Sequence, residues 1–468
     1  MKNNRRDFLK KTGFAGLGIV GAMGCARQTE SGEPFPQTHK QAFNMSGYVA
    51  PKLDVVRIAV IGLGNRGSGT IQRFAAIENV EIKAICDLVP EKVTRAFESI
   101  RSLGHKPDLY QGNEDDWKRI CERNDIDVIA VVTPPQRHAE MCIYAMEHDK
   151  HAYTELPVAI TIEDCWKVVA TSEKTKKYCV QYASNCHSGM SAVVLNMVRQ
   201  GFFGDIVHAE GAYIHQIIQN IYSDKYHDLW RLRYNTDIHA NVYPQHGLVP
   251  ICQMLDINYG DQMDYLSSVS SNNFMDTAKQ RATEDDRWKE WVDKDYRGNM
   301  NVTIIRTIKG RTIMMQHDTS SPRPNVRFSM ISGTKGMYQA PNRIATSHDG
   351  WISDEEFNEL REKYTPLITK KFGELVSHAR NTSRTGGSYS RVTPTDWRFI
   401  DCLRNGLPMD MDVYEAAVSS SIIPLSAWST ANRTNSVDVP DFTNGAWKTN
   451  QRAMDIDLKK GVGTTGLV

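Results

Sequence analysis

A chain of 468 residues is long enough for about two domains, because a single hydrophobic core stops growing near ~250–300 residues. Its 56 Lys and Arg nearly balance 55 Asp and Glu, and 40% of its residues are hydrophobic. That balance excludes a bulk electrostatic pull towards nucleic acid or an anionic membrane, so no nucleic-acid partner is expected.

In chain order, residues 1–30 read as a targeting segment rather than as structure. Asn4-Arg5-Arg6-Asp7-Phe8-Leu9-Lys10 has the twin-arginine form, and a weakly apolar Gly- and Ala-rich run follows to Gly24. Cys25 then stands where a lipoprotein signal peptidase would leave a lipid-bearing residue, although Ala22 occupies the usual Leu position. The expectation is twin-arginine export to a bacterial periplasm, free or through a lipid anchor at Cys25, with no transmembrane span in the mature chain. Residues 31–54, with Thr, Ser, Gly and Pro and few large apolars, read as a linker.

Val55–Ile61 is a β-branched apolar run bounded by glycine, the pattern of a strand buried on both faces. Thr70–Ile77 then reads as helix, Val80–Cys86 as strand, Pro90–Leu103 as helix, Asp127–Val132 as strand and His138–Met146 as helix. His151–Glu155 and Tyr178–Tyr182 are further strands around a helix at Ile162–Lys174. This alternation predicts a doubly wound parallel sheet over 55–184. From 185 to 468 the pattern becomes α+β. A helix at Val193–Gln200 leads into strands at Ile206–His215, Leu266–Ser271, Asn301–Thr307, Arg311–His317 and Val326–Ile331, joined by hairpin-like turns. These predict a largely antiparallel open sheet. Asn381–Arg391 reads as a loop, Pro394–Leu403 and Met411–Thr430 as helices, and the last dozen residues as poorly ordered. The nine cysteines form no CxxC pair and no His–Cys spacing suited to zinc, so no metal is expected and Cys86, Cys121 and Cys142 read as buried free thiols.

Gly62-Leu63-Gly64-Asn65-Arg66-Gly67 fits G-x-G-x-x-G, and its context gives it force: a buried strand before, a helix after, and Asp87 at the end of the next strand. Gly62 permits the tight turn, Gly64 lets the backbone approach a pyrophosphate, and Gly67 allows helix–strand packing at a helix N-terminus. Asp87 can accept both ribose hydroxyls and would repel a 2′-phosphate, so the expected cofactor is NAD in a Rossmann domain.

Ile61-Gly62-Leu63-Gly64-Asn65-Arg66-Gly67, Asp125-Ile126-Asp127-Val128, Thr133-Pro134-Pro135 with His138, and Gly201-Phe202-Phe203-Gly204-Asp205-Ile206 resemble the Gfo/Idh/MocA oxidoreductases. That resemblance implies a Rossmann domain followed by an α/β domain whose open sheet supports a homo-oligomer. It also implies a Lys beside the nicotinamide, within Glu-Lys-Pro; here the motif is Glu155-Leu156-Pro157. A narrower resemblance accounts for the substitution. Tyr153-Thr154-Glu155-Leu156-Pro157, Glu210-Gly211-Ala212-Tyr213-Ile214-His215, Trp230-Arg231-Leu232-Arg233, Tyr243-Pro244-Gln245-His246-Gly247 and Ser332-Gly333-Thr334-Lys335-Gly336 are similar to glycoside hydrolase family 109.

Family 109 implies an NAD-dependent α-N-acetylgalactosaminidase working by transient oxidation at C3, elimination across C1 and C2, water addition and re-reduction, with anomeric retention. On that resemblance His246 is the base towards the C3 hydroxyl with Tyr243 beside it. Tyr213, Arg233, Pro244, Gln245 and Asn325 join them around the substrate, a small sugar or glycan. Asn65, Arg66, Gln136, Arg137, His138, Glu155, Leu156 and Asn185 join the glycines and Asp87 around the cofactor. Two departures bear on the sugar. Asn-Cys-Cys-Tyr-Gly becomes Asn185-Cys186-His187-Ser188-Gly189, which replaces a tyrosine suited to the C2 proton unless His187 serves instead. The tyrosine expected after Pro-Arg-Pro is Asn325. A sugar oxidoreductase releasing a keto-sugar, and a non-catalytic NAD- and glycan-binding module, are the competing readings.

Overall fold

The structure, a computed structural model, describes residues 34–35, 39–183, 186–187, 189–382, 387–463 and 465–468. The twin-arginine motif, Cys25, Asn185 and Ser188 lie outside the described residues. The first half runs β1 (Val56–Ile61), α1 (Gly67–Ala75), β2 (Val80–Asp87), α2 (Pro90–Arg101), β3 (Asp108–Gln111), α3 (Asp116–Cys121), β4 (Val128–Val131), α4 (His138–Glu147), β5 (His151–Thr154), α5 (Ile162–Thr175) and β6 (Cys179–Gln181). Its six strands are all parallel, in the order β3-β2-β1-β4-β5-β6. The order reverses between β1 and β4, and ligands of doubly wound sheets bind outside the strand C-termini at such a reversal. β3 and α3 had no counterpart in the sequence reading, because Asp-Leu-Tyr-Gln is a short, largely exposed edge strand with no apolar periodicity.

The second half runs α6 (Gly189–Arg199), β7 (Ile206–Ile214), α7 (Ile218–Ile221), α8 (Trp230–Asp237), α9 (Gln245–Met254), β8 (Met263–Ser270), α10 (Thr277–Glu284), β9 (Asn301–Thr307), β10 (Thr312–Asp318), β11 (Val326–Gly333), β12 (Gly336–Gln339), β13 (Arg343–Ala345), α11 (Asp354–Tyr364), α12 (Leu367–Thr382), α13 (Pro394–Asn405), α14 (Val413–Ala431) and β14 (Val437–Asp438). Eight strands form a mixed sheet, β13-β12-β11-β7-β10-β9-β8-β14, antiparallel except for the β7–β10 pair. In β7 the inward row includes Ala209, Gly211 and Tyr213, opposite Ile313, Met315 and His317 of β10.

Several local expectations change. The stretch after residue 38 is not a linker. Ala42 N and His39 Nε2 both reach the buried Glu173 carboxylate, at 2.9 and 3.0 Å, and Met45 N donates to Tyr414 Oη at 3.1 Å. The last residues are packed too: Val468 N donates to Ala76 O, and Leu467 bridges to Ile77. The loop expected at Asn381–Arg391 is helical at both ends, with α12 reaching Thr382 and a 3-10 turn over Ser388–Arg391.

A division at 184/185 also understates how the halves join, because α13 and α14 return to the parallel sheet. Thr393 and Asp396 close a capping box at the start of α13, behind Pro394 at the first helical position. The same Asp396 carboxylate accepts from Arg73 Nε of α1 and Tyr153 Oη of β5, each at 2.9 Å. All three side chains are buried. Arg73→Ala would leave Asp396 without its cation, so unfolding in urea is expected to show a loss of about 3–5 kcal/mol; a loss below about 1 kcal/mol would show the carboxylate does not need it.

Among the described residues no helix is long and apolar enough to cross a membrane. No cluster of three or more His, Cys, Asp or Glu side chains there could hold a metal ion. The cysteines from Cys86 to Cys402 are buried free thiols, including Cys121 and Cys142.

Candidate active site

The glycine-rich turn joins β1 to α1. Gly62 has φ +91°, and a Cβ there would lie 2.6 Å from Val132 O; one on Gly67 would lie 1.9 Å from Gly62 O. Strand, turn and helix therefore meet backbone to backbone. A Cβ on Gly64 meets nothing within 4 Å, so this position faces open space of the kind a pyrophosphate would fill. Asp87, ending β2, is fixed beside the turn: Leu63 N donates to Oδ2 at 2.7 Å and Val89 N to Oδ1 at 2.9 Å. A carboxylate has about four acceptor positions, so lone pairs remain for two ribose hydroxyls. These residues fit a dinucleotide.

Gln136 and Arg137 lie exposed in a 3-10 turn after β4, with Arg137 ion-paired to Glu140 at 3.1 Å. Asn65 is exposed and donates to Lys225 O at 3.3 Å. Arg66 reaches Glu155 at 3.0 Å. Leu156 is 2% exposed, and its carbonyl accepts from Tyr243 Oη at 3.0 Å. His138 does not line the cofactor crevice: its two ring nitrogens lie 2.7 Å from the carbonyls of Thr133 and Pro157, so it clamps the ends of β4 and β5 together.

Tyr213, Tyr243 and His246 come together as expected. The Tyr213 and His246 rings stack at 5.2 Å and 17°, with Tyr243 5.0 Å from Tyr213 and 5.7 Å from His246. Two glycines make this possible, since a Cβ on Gly247 would lie 2.5 Å from Ala212 N and one on Gly211 3.0 Å from Gly247. Helix α9 thus rests directly on β7 and delivers His246 to the Tyr213 ring. Arg231 Nη2 donates to Tyr213 Oη at 3.0 Å, and the Arg327 guanidinium lies 4.4 Å from the Tyr213 ring centre. Burial, then Arg327, Arg66 and Arg231, push the His246 imidazole down to about 3. It is therefore a neutral ring with a lone pair at neutral pH. Burial pushes the Tyr243 phenol above the usual range, which makes it a donor.

Not every expected residue arrives. Arg233 is exposed and forks onto Asp228 at 2.9 and 3.0 Å; on this helix it is Arg231 that faces the site. Gln245 is fully buried against α14, donating to Ser419 O at 3.3 Å, and Pro244 is the buried N-cap of α9. Both side chains are buried. Asn325 is exposed just before β11, where Val326 pairs with Ile214, and so stands at the His215 end of β7. His187 cannot serve the C2 proton. It is buried between Asp410 Oδ2 at 2.9 Å and Thr395 Oγ1 at 3.1 Å, a structural pin below α13.

The model of the glycosyl hydrolase 109 C-terminal domain matches residues 189–449, and that of the oxidoreductase family with an NAD-binding Rossmann fold matches 56–183. The chain belongs to glycosyl hydrolase family 109. A glycosyl hydrolase family 109 protein of Shewanella pealeana is 39% identical, over 96% of this chain and 98% of its own. An α-N-acetylgalactosaminidase of Bacteroides fragilis is 42% identical, over 88% and 96%. Among solved structures, myo-inositol dehydrogenase of Lactobacillus casei, in complex with NAD(H) and myo-inositol, aligns with a TM-score of 0.54 at 17% identity, over 83% of this chain and 99% of that one. At that identity it speaks for the fold alone.

This family 109 site contains residues that sequence reasoning missed. His215 lies 3.5 Å from Tyr213 Oη and 3.2 Å from Arg327 Nη2. Its signal was present, since i and i+2 share a face of a strand. Arg327 had no signal. His317 sits beside Tyr213 on the sheet, rings 5.5 Å apart, and is fully buried with no hydrogen-bond partner at either ring nitrogen.

The buried histidines predict acid lability. Burial holds His246 and His151 down to about 3, and His317 well below its usual range. A histidine whose folded value lies below its unfolded ~6.5 contributes stability that is complete above pH ~6.5 and lost as pH falls towards the folded value. Each contributes a slope of up to ~1.4 kcal/mol per pH unit. Urea midpoints should fall steeply between pH 7 and 4, and less steeply in His151→Gln; equal slopes would remove His151 from this account.

Proposed function

We propose that the protein is an exported retaining glycosidase, resembling the α-N-acetylgalactosaminidases, that keeps NAD as a resident cofactor. The observation that carries this reading is the stacked Tyr213–His246 pair with a guanidinium on the phenol oxygen, beside a Leu where a proton-carrying Lys would serve a simple dehydrogenase. Two proton-handling groups with ring centres 5.2 Å apart suit work on neighbouring carbons of one sugar ring.

Gly62, Gly64, Gly67 and Asp87 would hold the dinucleotide, and when bound it supplies reversible oxidation at the sugar C3. Neutral His246 takes the proton of the C3 hydroxyl as that carbon becomes a ketone. The ketone acidifies the C2–H bond, and Tyr213 Oη, having first given its own proton to water, takes the C2 proton as a phenolate beside the balancing charge of Arg231. The C1–O bond then breaks with its electron pair on the departing aglycone, which gains a proton. Water adds its hydroxyl at C1 and its remaining proton replaces the one the aglycone took. Tyr213 returns the proton to C2, and His246 returns its proton to the C3 oxygen as C3 is reduced, so the net change is hydrolysis. Glu155 is engaged by Arg66, and this cycle needs no pair of carboxylates at fixed separation.

The twin-arginine leader and Cys25 support export, with or without a lipid anchor. Folding before export would let the cofactor travel inside, and a redox-neutral cycle needs no external supply. On the outer face of the mixed sheet Val269 and Ile304 are exposed, which supports a homo-oligomer through that face. Ile304→Glu with Val269→Glu should lower the mass seen by light scattering; an unchanged mass would rule that face out.

To test the activity, purified protein is assayed for bound nucleotide, then offered nitrophenyl α- and β-glycosides without added NAD. Sustained aglycone release with no NADH accumulation is expected. One equivalent of NADH that then stalls would make the protein an oxidoreductase, and silence across the panel would make it a binding module.

A further inference from the structure

The segment from Ser223 to Arg233 connects the two halves of the site. At one end Asn65, inside the glycine-rich turn, donates to Lys225 O at 3.3 Å. At the other, Arg231 donates to Tyr213 Oη at 3.0 Å. Between them Asp228 and Leu229 both adopt left-handed backbone, with φ +52° and +48°. Neither is glycine, and a Leu in this region is uncommon because its Cβ crowds the following carbonyl. Such a turn persists only where its surroundings hold it.

Two exposed ion-pair forks and one apolar cluster do so. Arg233 grips Asp228 at 2.9 and 3.0 Å, and Arg287 grips Asp224 at 2.7 and 3.0 Å. Tyr222, Tyr226 and Leu232 pack with Trp288, Trp291 and Tyr296 in a small core of their own. Lys225 is exposed with its carbonyl against Asn65 of the glycine-rich turn, and its charge is one of those that lower the His215 imidazole, after burial, Arg327 and Arg231.

We infer that Ser223–Leu229 is a clasp over the dinucleotide, with Lys225 supplying a cation to the pyrophosphate, and that its opening at Asp228–Leu229 limits NAD release. A cofactor held this way stays with the protein through many cycles. Arg233, expected from the sequence to touch substrate, instead holds the clasp shut.

The test reads bound NAD rather than glycoside turnover, so its outcome is separate from that of the hydrolase reading. Wild type, Arg233→Ala/Arg287→Ala and Lys225→Ala are loaded with NAD and diluted into buffer containing an NAD-degrading enzyme. Protein-bound NAD is then followed over time. Each exposed fork is worth at most about a factor of five, so the double variant should release NAD about tenfold faster. Lys225→Ala, which leaves the turn intact, should also release it faster. Without NAD the urea midpoint of Lys225→Ala should stay at the wild-type value, since any loss of affinity lowers stability only when NAD is present, and Arg233→Lys should recover part of the retention. Wild-type release rates in both variants would overturn the inference, as would a fall in the NAD-free urea midpoint of Lys225→Ala that matches its faster release.

Discussion

His246→Ala is expected to abolish glycoside turnover while the purified protein still carries NAD. The ring is the neutral imidazole of the site, carried by the first turn of α9 onto Tyr213, and burial with three nearby guanidinium groups keeps its lone pair free of a proton down to about pH 3. General-base catalysis contributes about 10²–10⁴-fold, and nothing else stacked on Tyr213 can replace it: Tyr243 is held protonated and His317 is buried beside the sheet. NAD should stay because its cradle is the turn at Gly62–Gly67 with Asp87, which His246 does not build. Steady-state kinetics with bound-nucleotide analysis check both halves, and turnover within tenfold of wild type would remove His246 from the chemistry. The pH profile adds an independent reading. If His246 is the base, the acid limb of kcat/KM from this group lies near pH 3; a limb at the ordinary imidazole ~6.5 would assign the step elsewhere.

Tyr213→Phe should stop the cycle one step later. Phenylalanine keeps the ring that stacks on His246 but loses the oxygen that accepts from Arg231 at 3.0 Å. Turnover is expected to fall about 10³-fold, within the range for a lost proton acceptor. The signature separates the two variants. With Tyr213→Phe, oxidation at C3 still proceeds, so NADH absorbance rises by one equivalent per site while no aglycone appears; with His246→Ala neither is seen. In heavy water the wild-type product should carry deuterium at C2. If Tyr213→Phe releases aglycone at a wild-type rate with deuterium at C2, another group moves that proton.

These two variants rest on residues whose chemistry is legible in the sequence. Tyr213, Tyr243 and His246 each sit in a short block with a recognisable neighbour pattern. Their meeting was not legible, because it depends on Gly247 letting α9 lie against β7, a contact between positions 36 residues apart. The choice between Arg231 and Arg233 was undecidable for a related reason. Both lie on α8 two positions apart, on different sides of the helix, and only the placement of Tyr213 says which side is inside. His187 shows the converse case: a residue type suited to proton transfer, in the right block, is engaged in a buried pairing with Asp410.

What the sequence alone determined was the chemistry that local pattern encodes. A β-branched strand, G-x-G-x-x-G, a helix and Asp87 specify a dinucleotide turn within some thirty residues, because backbone sterics act over that range. Likewise the alternation of elements specified a parallel sheet followed by a mostly antiparallel one. Tertiary structure decided everything that depends on distant segments sharing space: the parallel pair β7–β10 within the second sheet, the return of α13 and α14 to the first sheet, and the packing of the stretch after residue 38 and of Leu467 and Val468. It decided, too, that three arginines surround one neutral histidine. Burial and charge at a point are sums over neighbours, and the neighbours are set by the fold rather than by the order of residues.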